Sequence, residues 1–169
     1  MFVIFMGVSG CGKTTIGKKT ACVLGVPYYE GDDFHPSEKV EKMSRGIPLT
    51  DEDRDGWLEK LSGLIREKLD QGDSGVLSCS ALKQKYRDRL RIDPHLVHFI
   101  YLKGTYEVIR SRMEARSGHY MPAELLKSQF EALEEPENAF TIDIEQTPDE
   151  ILKKVLSFLQ GTGFPGANN

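Results

Sequence analysis

The chain carries no excess of positive charge. Lys and Arg number 22 against 26 Asp and Glu, a net charge of −4, which argues against a general nucleic-acid or anionic-membrane binder. Any affinity for phosphate must therefore come from a local arrangement. Cysteine is sparse as well: Cys11, Cys22 and Cys79 form no Cys-x-x-Cys pair, and three thiols cannot all pair with one another. Reduced thiols in a cytoplasmic protein fit this better than a disulfide framework. The apolar opening Met1–Met6 lacks a basic flank and a small-residue cleavage site. It is too short for a signal peptide or a membrane span, so it is expected as a buried first strand. No repeat, linker or low-complexity tract divides the chain. A single domain over residues 1–160 is expected, followed by a glycine-rich, flexible tail at 161–169.

What is present is an alternation of short apolar runs with longer segments of helical period, the pattern of an α/β protein with a mainly parallel sheet. Strands are expected at Phe2–Met6, Tyr28–Glu30, Val76–Cys79, Val97–Leu102 and Phe140–Ile144. The clearest helix places Trp57, Leu58, Leu61, Leu64, Ile65 and Leu69 on one stripe. Thr50 is its N-cap, and Asp51, Glu52 and Asp53 suit the positive end of the helix dipole. The last helix opens Thr147-Pro148-Asp149-Glu150, a cap, a first-turn proline and a capping-box glutamate.

Directly after the first strand, Gly7-Val8-Ser9-Gly10-Cys11-Gly12-Lys13-Thr14 matches G-x-x-x-x-G-K-[ST] and leads into a helical segment from Thr15. Glycines let the backbone curl until successive N–H groups face phosphate oxygens, and the helix adds the positive end of its dipole. Lys13 is expected to bridge the β- and γ-phosphates of ATP, with the Thr14 hydroxyl as a ligand for Mg²⁺. A glycine-rich turn that binds nothing is the alternative, and strand, loop, lysine and helix together oppose it. A dinucleotide fold fails on spacing, because the glycines run G-x-x-G-x-G.

A nucleotide site does not say what the nucleotide is for. Asp53-Arg54-Asp55-Gly56 reads D-x-x-G like a GTPase switch, but it opens a helix, and no N-K-x-D motif exists anywhere. The large ATPase machines usually end a buried strand in an acid for Mg²⁺, whereas Val76–Cys79 runs into Ser80-Ala81-Leu82-Lys83. A small-molecule kinase accounts for that absence differently. Glu30 and Asp32 are two apart at the carboxyl end of the second strand, where α/β ligands sit, and are expected to share a face. One can orient the metal's water shell and the other accept a hydroxyl proton. Asp33 is expected in solvent.

Further stretches extend the pattern: Gly31-Asp32-Asp33-Phe34-His35-Pro36, Lys42-Met43-Ser44-Arg45-Gly46-Ile47-Pro48-Leu49, Asp51–Leu58, Cys79-Ser80-Ala81-Leu82-Lys83 with Tyr86-Arg87-Asp88, Gly118-His119-Tyr120-Met121, and Ser128-Gln129-Phe130 with Leu133-Glu134-Glu135-Pro136. With the glycine-rich loop, these resemble the gluconate kinase family, a branch of the P-loop enzymes that includes nucleoside and shikimate kinases. The resemblance runs from the first strand to about Ile144. It implies phosphorylation of D-gluconate at the 6-hydroxyl, a five-stranded parallel sheet flanked by helices with a mobile lid, and commonly a homodimer. Many relatives carry serine at the positions of Cys11 and Thr14. Threonine keeps the hydroxyl, and position 11 contributes mainly its backbone N–H. Related shikimate kinases carry Asp-x-Asp where Glu30-Gly31-Asp32 falls, which supports Asp32 as the base.

The catalytic candidates are thus Lys13, Asp32 and Arg116. Nucleotide contacts are expected from Gly7, Val8, Ser9, Gly10, Cys11, Gly12, Lys13, Thr14 and Thr15. Arg112 and Arg116, four apart on one helix face, are expected to add theirs; Arg110 is the weaker choice. The segment Ser117–Met121 is a candidate closing element. For the gluconate carboxylate Arg54 comes first, with Arg87 and Lys83 as reserves. His35, His119 and Gln129 are hydroxyl partners implied mostly by the resemblance. A nucleotide-binding regulator without an acceptor, and a kinase of shikimate or another hydroxylated acid, are the competing readings.

Overall fold

The computed structural model describes residues 1–115 and 123–167. Five strands, β1 (Phe2–Met6), β2 (Tyr28–Glu30), β3 (Gly75–Ser78), β4 (Val97–Lys103) and β5 (Phe140–Asp143), form one sheet in the order β2-β3-β1-β4-β5. Every pairing is parallel. β1 lies at the centre, and all five of its residues are buried, which explains why it reads as an unbroken apolar run rather than an alternating one.

Its side chains alternate between two cores. Val3 and Phe5 face one layer, built with Ile16 and Leu24 of α1 (Lys13–Leu24) and Ile151, Val155 and Leu159 of α7 (Pro148–Thr162). Phe2, Ile4 and Met6 face the other, built from Trp57, Leu58, Leu61 and Ile65 of α3 (Asp51–Asp70) and Tyr86 and Leu90 of α4 (Gln84–Leu90). The remaining helices are α2 (Ser37–Ser44), α5 (Tyr106–Glu114) and α6 (Ala123–Ala132). Among the described residues no helix is long and apolar enough to cross a membrane.

The expected caps form. Thr50 Oγ1 accepts from the Asp53 N–H, while Asp53 Oδ2 accepts from the Thr50 N–H at 2.9 Å. Thr147 and Glu150 make the same reciprocal pair at the start of α7. Each such cap contributes about 1 kcal/mol and fixes where its helix begins.

The expected flexible tail is corrected over residues 161–167. α7 continues to Thr162 and is closed by Gly163 in a left-handed conformation. Phe164 is only 1% exposed and Ala167 is buried, and Gln160 Nε2 donates to the Ala167 carbonyl. Gly166 lies against the Leu24 carbonyl of α1 so closely that a Cβ would sit 2.6 Å from its oxygen. One aromatic among glycines has no periodicity to betray it, yet it seals the end of the α1–α7 layer.

Candidate active site

The chain leaves the carboxyl end of β1 and turns through residues 7–12 before α1 begins. Gly7, Gly10 and Gly12 all have positive φ, at 137°, 82° and 103°. At Gly10 two constraints coincide: the left-handed backbone, and Met113 of α5, whose Cγ would lie 2.8 Å from an added Cβ. Only glycine satisfies both. Gly12 is the N-cap of α1, whose first turn contains no acidic residue, so nothing in that turn competes for the positive end of the helix dipole. Gly10, Gly12, Lys13, Thr14 and Thr15 line one concave pocket. The Lys13 ammonium donates to the carbonyls of Gly7 and Val8 at 3.0 Å each, bracing the loop from inside. Cys11 is buried, in keeping with a backbone contribution.

Glu30 ends β2 beside this loop. Its Oε2 accepts from Thr14 Oγ1 at 2.8 Å and from the Tyr28 hydroxyl at 2.6 Å. Burial, reinforced by that carboxylate, drives the Tyr28 phenol well above its ordinary pKa, so it remains a donor. The expectation that Glu30 and Asp32 share a strand face needs correction. β2 stops at Glu30, and Asp32 lies on a 3-10 turn, Gly31–Phe34. Gly31 is wedged against the end of β3, where a Cβ would stand 2.6 Å from the Ser78 carbonyl oxygen, and that contact turns the chain. The two carboxylates still gather at one end of the sheet. The buried Cys79 thiol, pushed up to about 12 by desolvation, feels the charges of Lys13, Asp32 and Glu30 together.

The turn is pinned from below. Trp57 Nε1 donates to the Gly31 carbonyl at 2.7 Å, and the His35 ring lies flat on the Trp57 indole with centroids 4.5 Å apart. Burial, then the Arg54 and Lys60 charges, lowers the His35 imidazole to about 4. It is therefore neutral near pH 7. Its Nδ1 is buried without a hydrogen-bond partner among the described residues.

Around Tyr86 a charge hub forms that no local sequence pattern announced. Asp51 accepts from Lys83 at 2.8 Å, from Lys85 at 2.6 Å and from the Tyr86 hydroxyl. Those three donors, Lys83 foremost, hold its carboxyl far below the usual carboxylate range. Arg54 lies over the Tyr86 ring, 5.7 Å from its centroid, and donates to the Leu49 carbonyl. Lys39 and Lys42 of α2 both pair with Asp53, at 2.8 and 2.5 Å, tying α2 to the start of α3. Arg54 and Lys83 thus converge on Tyr86.

Two candidates do not join them. Arg87 is 1% exposed and spends its guanidinium on the carbonyls of Ala81 and Leu82 and on Gln84 Oε1, at 3.0, 2.9 and 2.8 Å. It holds the turn after β3, where Ala81 sits at a positive φ of 42°, and is withdrawn from the carboxylate candidates. Gln129 is turned toward the glycine-rich loop: its Oε1 accepts from the Ser9 N–H at 2.7 Å and its Nε2 donates to Ser9 Oγ at 3.0 Å. Arg112 donates to the Ile144 carbonyl at 2.5 Å, while Arg110 pairs with Glu114 in solvent. Arg116 and His119 lie outside the described residues, as does the segment Ser117–Met121. The Asp51 hub and the Ser9–Gln129 pair were missed because each joins residues distant in sequence, and no local pattern encodes them.

Comparison with known proteins agrees with this arrangement. A profile described as shikimate kinase matches residues 9–160. The thermosensitive gluconokinase of Escherichia coli K12 is 52% identical over 134 residues, covering 79% of this chain and 72% of that protein. The gluconokinase of Gluconobacter oxydans is 42% identical over 162 residues, covering 94% and 91%. Among solved structures, a gluconokinase from Sinorhizobium meliloti 1021 superposes with a TM-score of 0.84 at 43% identity, covering 94% of this chain and 90% of that one. Shikimate kinase from Aquifex aeolicus shares the fold alone, with a TM-score of 0.64 at 16% identity over 98% and 99%.

Proposed function

The chain belongs to the shikimate kinase family and, within it, to the gluconokinases, and from that membership we propose that it transfers the γ-phosphoryl group of ATP to the 6-hydroxyl of D-gluconate, giving 6-phosphogluconate and ADP. The observation that carries this reading is the gathering of Lys13, Thr14 and Glu30 at the glycine-rich loop, with Asp32 beside them. A nucleotide switch without an acceptor has no use for that second carboxylate.

In this mechanism the Asp32 carboxylate takes the proton of the 6-hydroxyl as its oxygen attacks the γ-phosphorus, and the bond to the ADP oxygen breaks. Lys13 and the backbone N–H groups of Gly10 and of residues 12–15 neutralise the charge that builds on the phosphates. Thr14 Oγ1 and Glu30 Oε2, 2.8 Å apart, are oxygen donors of the type Mg²⁺ selects. Among the described residues no group of three or more His, Cys, Asp and Glu side chains is placed to hold a metal. Held near Thr14 and Glu30, Mg²⁺ would supply charge neutralisation for the phosphates. Arg54 and Lys83 are the proposed carboxylate contacts. His35 is kept as a proposed partner of a substrate hydroxyl. Arg112, Arg116 and a closing segment with His119 complete the proposed nucleotide side and lid. Family membership supports a homodimer, and three free thiols a cytoplasmic setting.

The test follows ADP release with Mg²⁺-ATP against a panel of hydroxylated acids. Gluconate should stimulate turnover strongly and shikimate should not. Stimulation by shikimate alone would move the substrate, and binding of ATP without stimulation by any acid would leave only a nucleotide-binding protein.

A further inference from the structure

The Ser9–Gln129 pair joins residues 120 positions apart through two hydrogen bonds that use both ends of one amide. It belongs to a larger support. Gly10, the next residue in the loop, packs against Met113 and Ile109 of α5, with no space for even a Cβ. α6, which carries Gln129, is pinned to α5 by the edge contact of Tyr106 with Phe130, ring centroids 5.6 Å apart. A loop with positive φ at Gly7, Gly10 and Gly12 has little backbone preference of its own. Its curl must be imposed from outside. Lys13 braces it from within through Gly7 and Val8, and the α5–α6 pair holds Ser9 and Gly10 from the far side.

We propose that Gln129 is a positioning residue for the phosphate cradle: from α6 it fixes the Ser9 peptide, and so sets the curl that aims the following N–H groups at the phosphates. This replaces a contact of Gln129 with the acceptor's hydroxyls and rests on the kinase reading only for its catalytic readouts. Its amide dipole is matched to Ser9 as acceptor and donor at once. A glutamate would keep the acceptor, lose the donor and put negative charge beside the site for phosphates.

The test compares wild type with Gln129→Ala and Gln129→Glu by calorimetric binding of ATP and ADP without acceptor, by steady-state kinetics in each substrate, and by thermal melting. For Gln129→Ala the affinity for both nucleotides should fall about tenfold, as expected for the loss of two partly buried hydrogen bonds. KM for gluconate should stay within about twofold, with only a small change in melting temperature. Gln129→Glu should lose more for ATP than for ADP, since repulsion grows with phosphate charge. A rise in gluconate KM with unchanged nucleotide binding would overturn the proposal and return Gln129 to the acceptor site. Unchanged nucleotide affinity in both variants would overturn it too. Should the alanine variant fold poorly, Gln129→Asn, one methylene too short to span both bonds, replaces it with the same expectations. Binding is read without acceptor, so an absence of gluconate turnover would count against the substrate assignment and not against this one.

Discussion

Asp32 is the residue on which the proposed chemistry turns, because a hydroxyl is a poor nucleophile until a base takes its proton. Asp32→Asn preserves size and removes the base. It is expected to lower kcat by about 10²–10⁴-fold with nucleotide binding little changed, and near-full activity in the steady-state assay would remove the assignment. His35 supports a prediction in pH. Its native pKa, about 4, lies below the ordinary 6.5, so between these values the unfolded chain binds a proton that the native state refuses. The stabilisation is complete above pH 6.5 and is lost as pH falls toward 4, a change on the order of 1–3 kcal/mol. The carboxyls of Asp51 and Asp53, held low by their lysines, weaken the fold only below that window. Trp57, the sole tryptophan, lies under His35 and reports the transition. Urea midpoints at pH 7 and 4.5 should differ more in the wild type than in His35→Gln, and equal slopes would contradict the burial argument. At this scale the sequence was legible where chemistry is local. Lys13 and Thr14 line one pocket at the glycine-rich loop, and Thr14 reaches Glu30. Arg87 and Gln129 were misread, since whether a polar side chain faces a pocket or a backbone carbonyl is decided by neighbours far along the chain.

The elements around the loop act as one support. Gly10→Ala would force a side chain into a left-handed position at φ 82° and against Met113. A cost of about 1–3 kcal/mol follows, together with weaker ATP binding. Thermal melting and nucleotide titration should move together, and an alanine variant with native affinity would show that the curl tolerates what its geometry forbids. Element boundaries came through well. The expected strands differ from β1–β5 by a residue or less at either end, and both helix caps formed where Thr50 and Thr147 announced them. A cap and an apolar stripe are short-range signals, carried by residues within one or two turns. The 3-10 turn after β2 was not legible. It is dictated by Gly31 packing on Ser78 of β3, a contact between strands that are neighbours only in the folded sheet.

For the whole molecule, the parallel order with β1 at its centre follows from strands joined through helices, and it brings the loop after β1 and the turn after β2 to one end of the sheet. The far end of the fold is closed by Phe164, whose burial no periodicity announces. Phe164→Ala, or a stop after residue 160, should cost about 3–5 kcal/mol. Thermal melting reads that loss, and a variant as stable as the parent would restore a loose tail. On the proposed reading this assembly delivers phosphate to one particular oxygen of gluconate. The most direct measurement couples turnover with ATP, Mg²⁺ and D-gluconate to 6-phosphogluconate dehydrogenase, in the wild type and in Lys13→Ala. Rapid gluconate-dependent NADPH formation, reduced by at least about 10²-fold in the variant, is the predicted result. ADP release without a product the dehydrogenase accepts, or a Lys13→Ala enzyme of undiminished rate, would contradict the account.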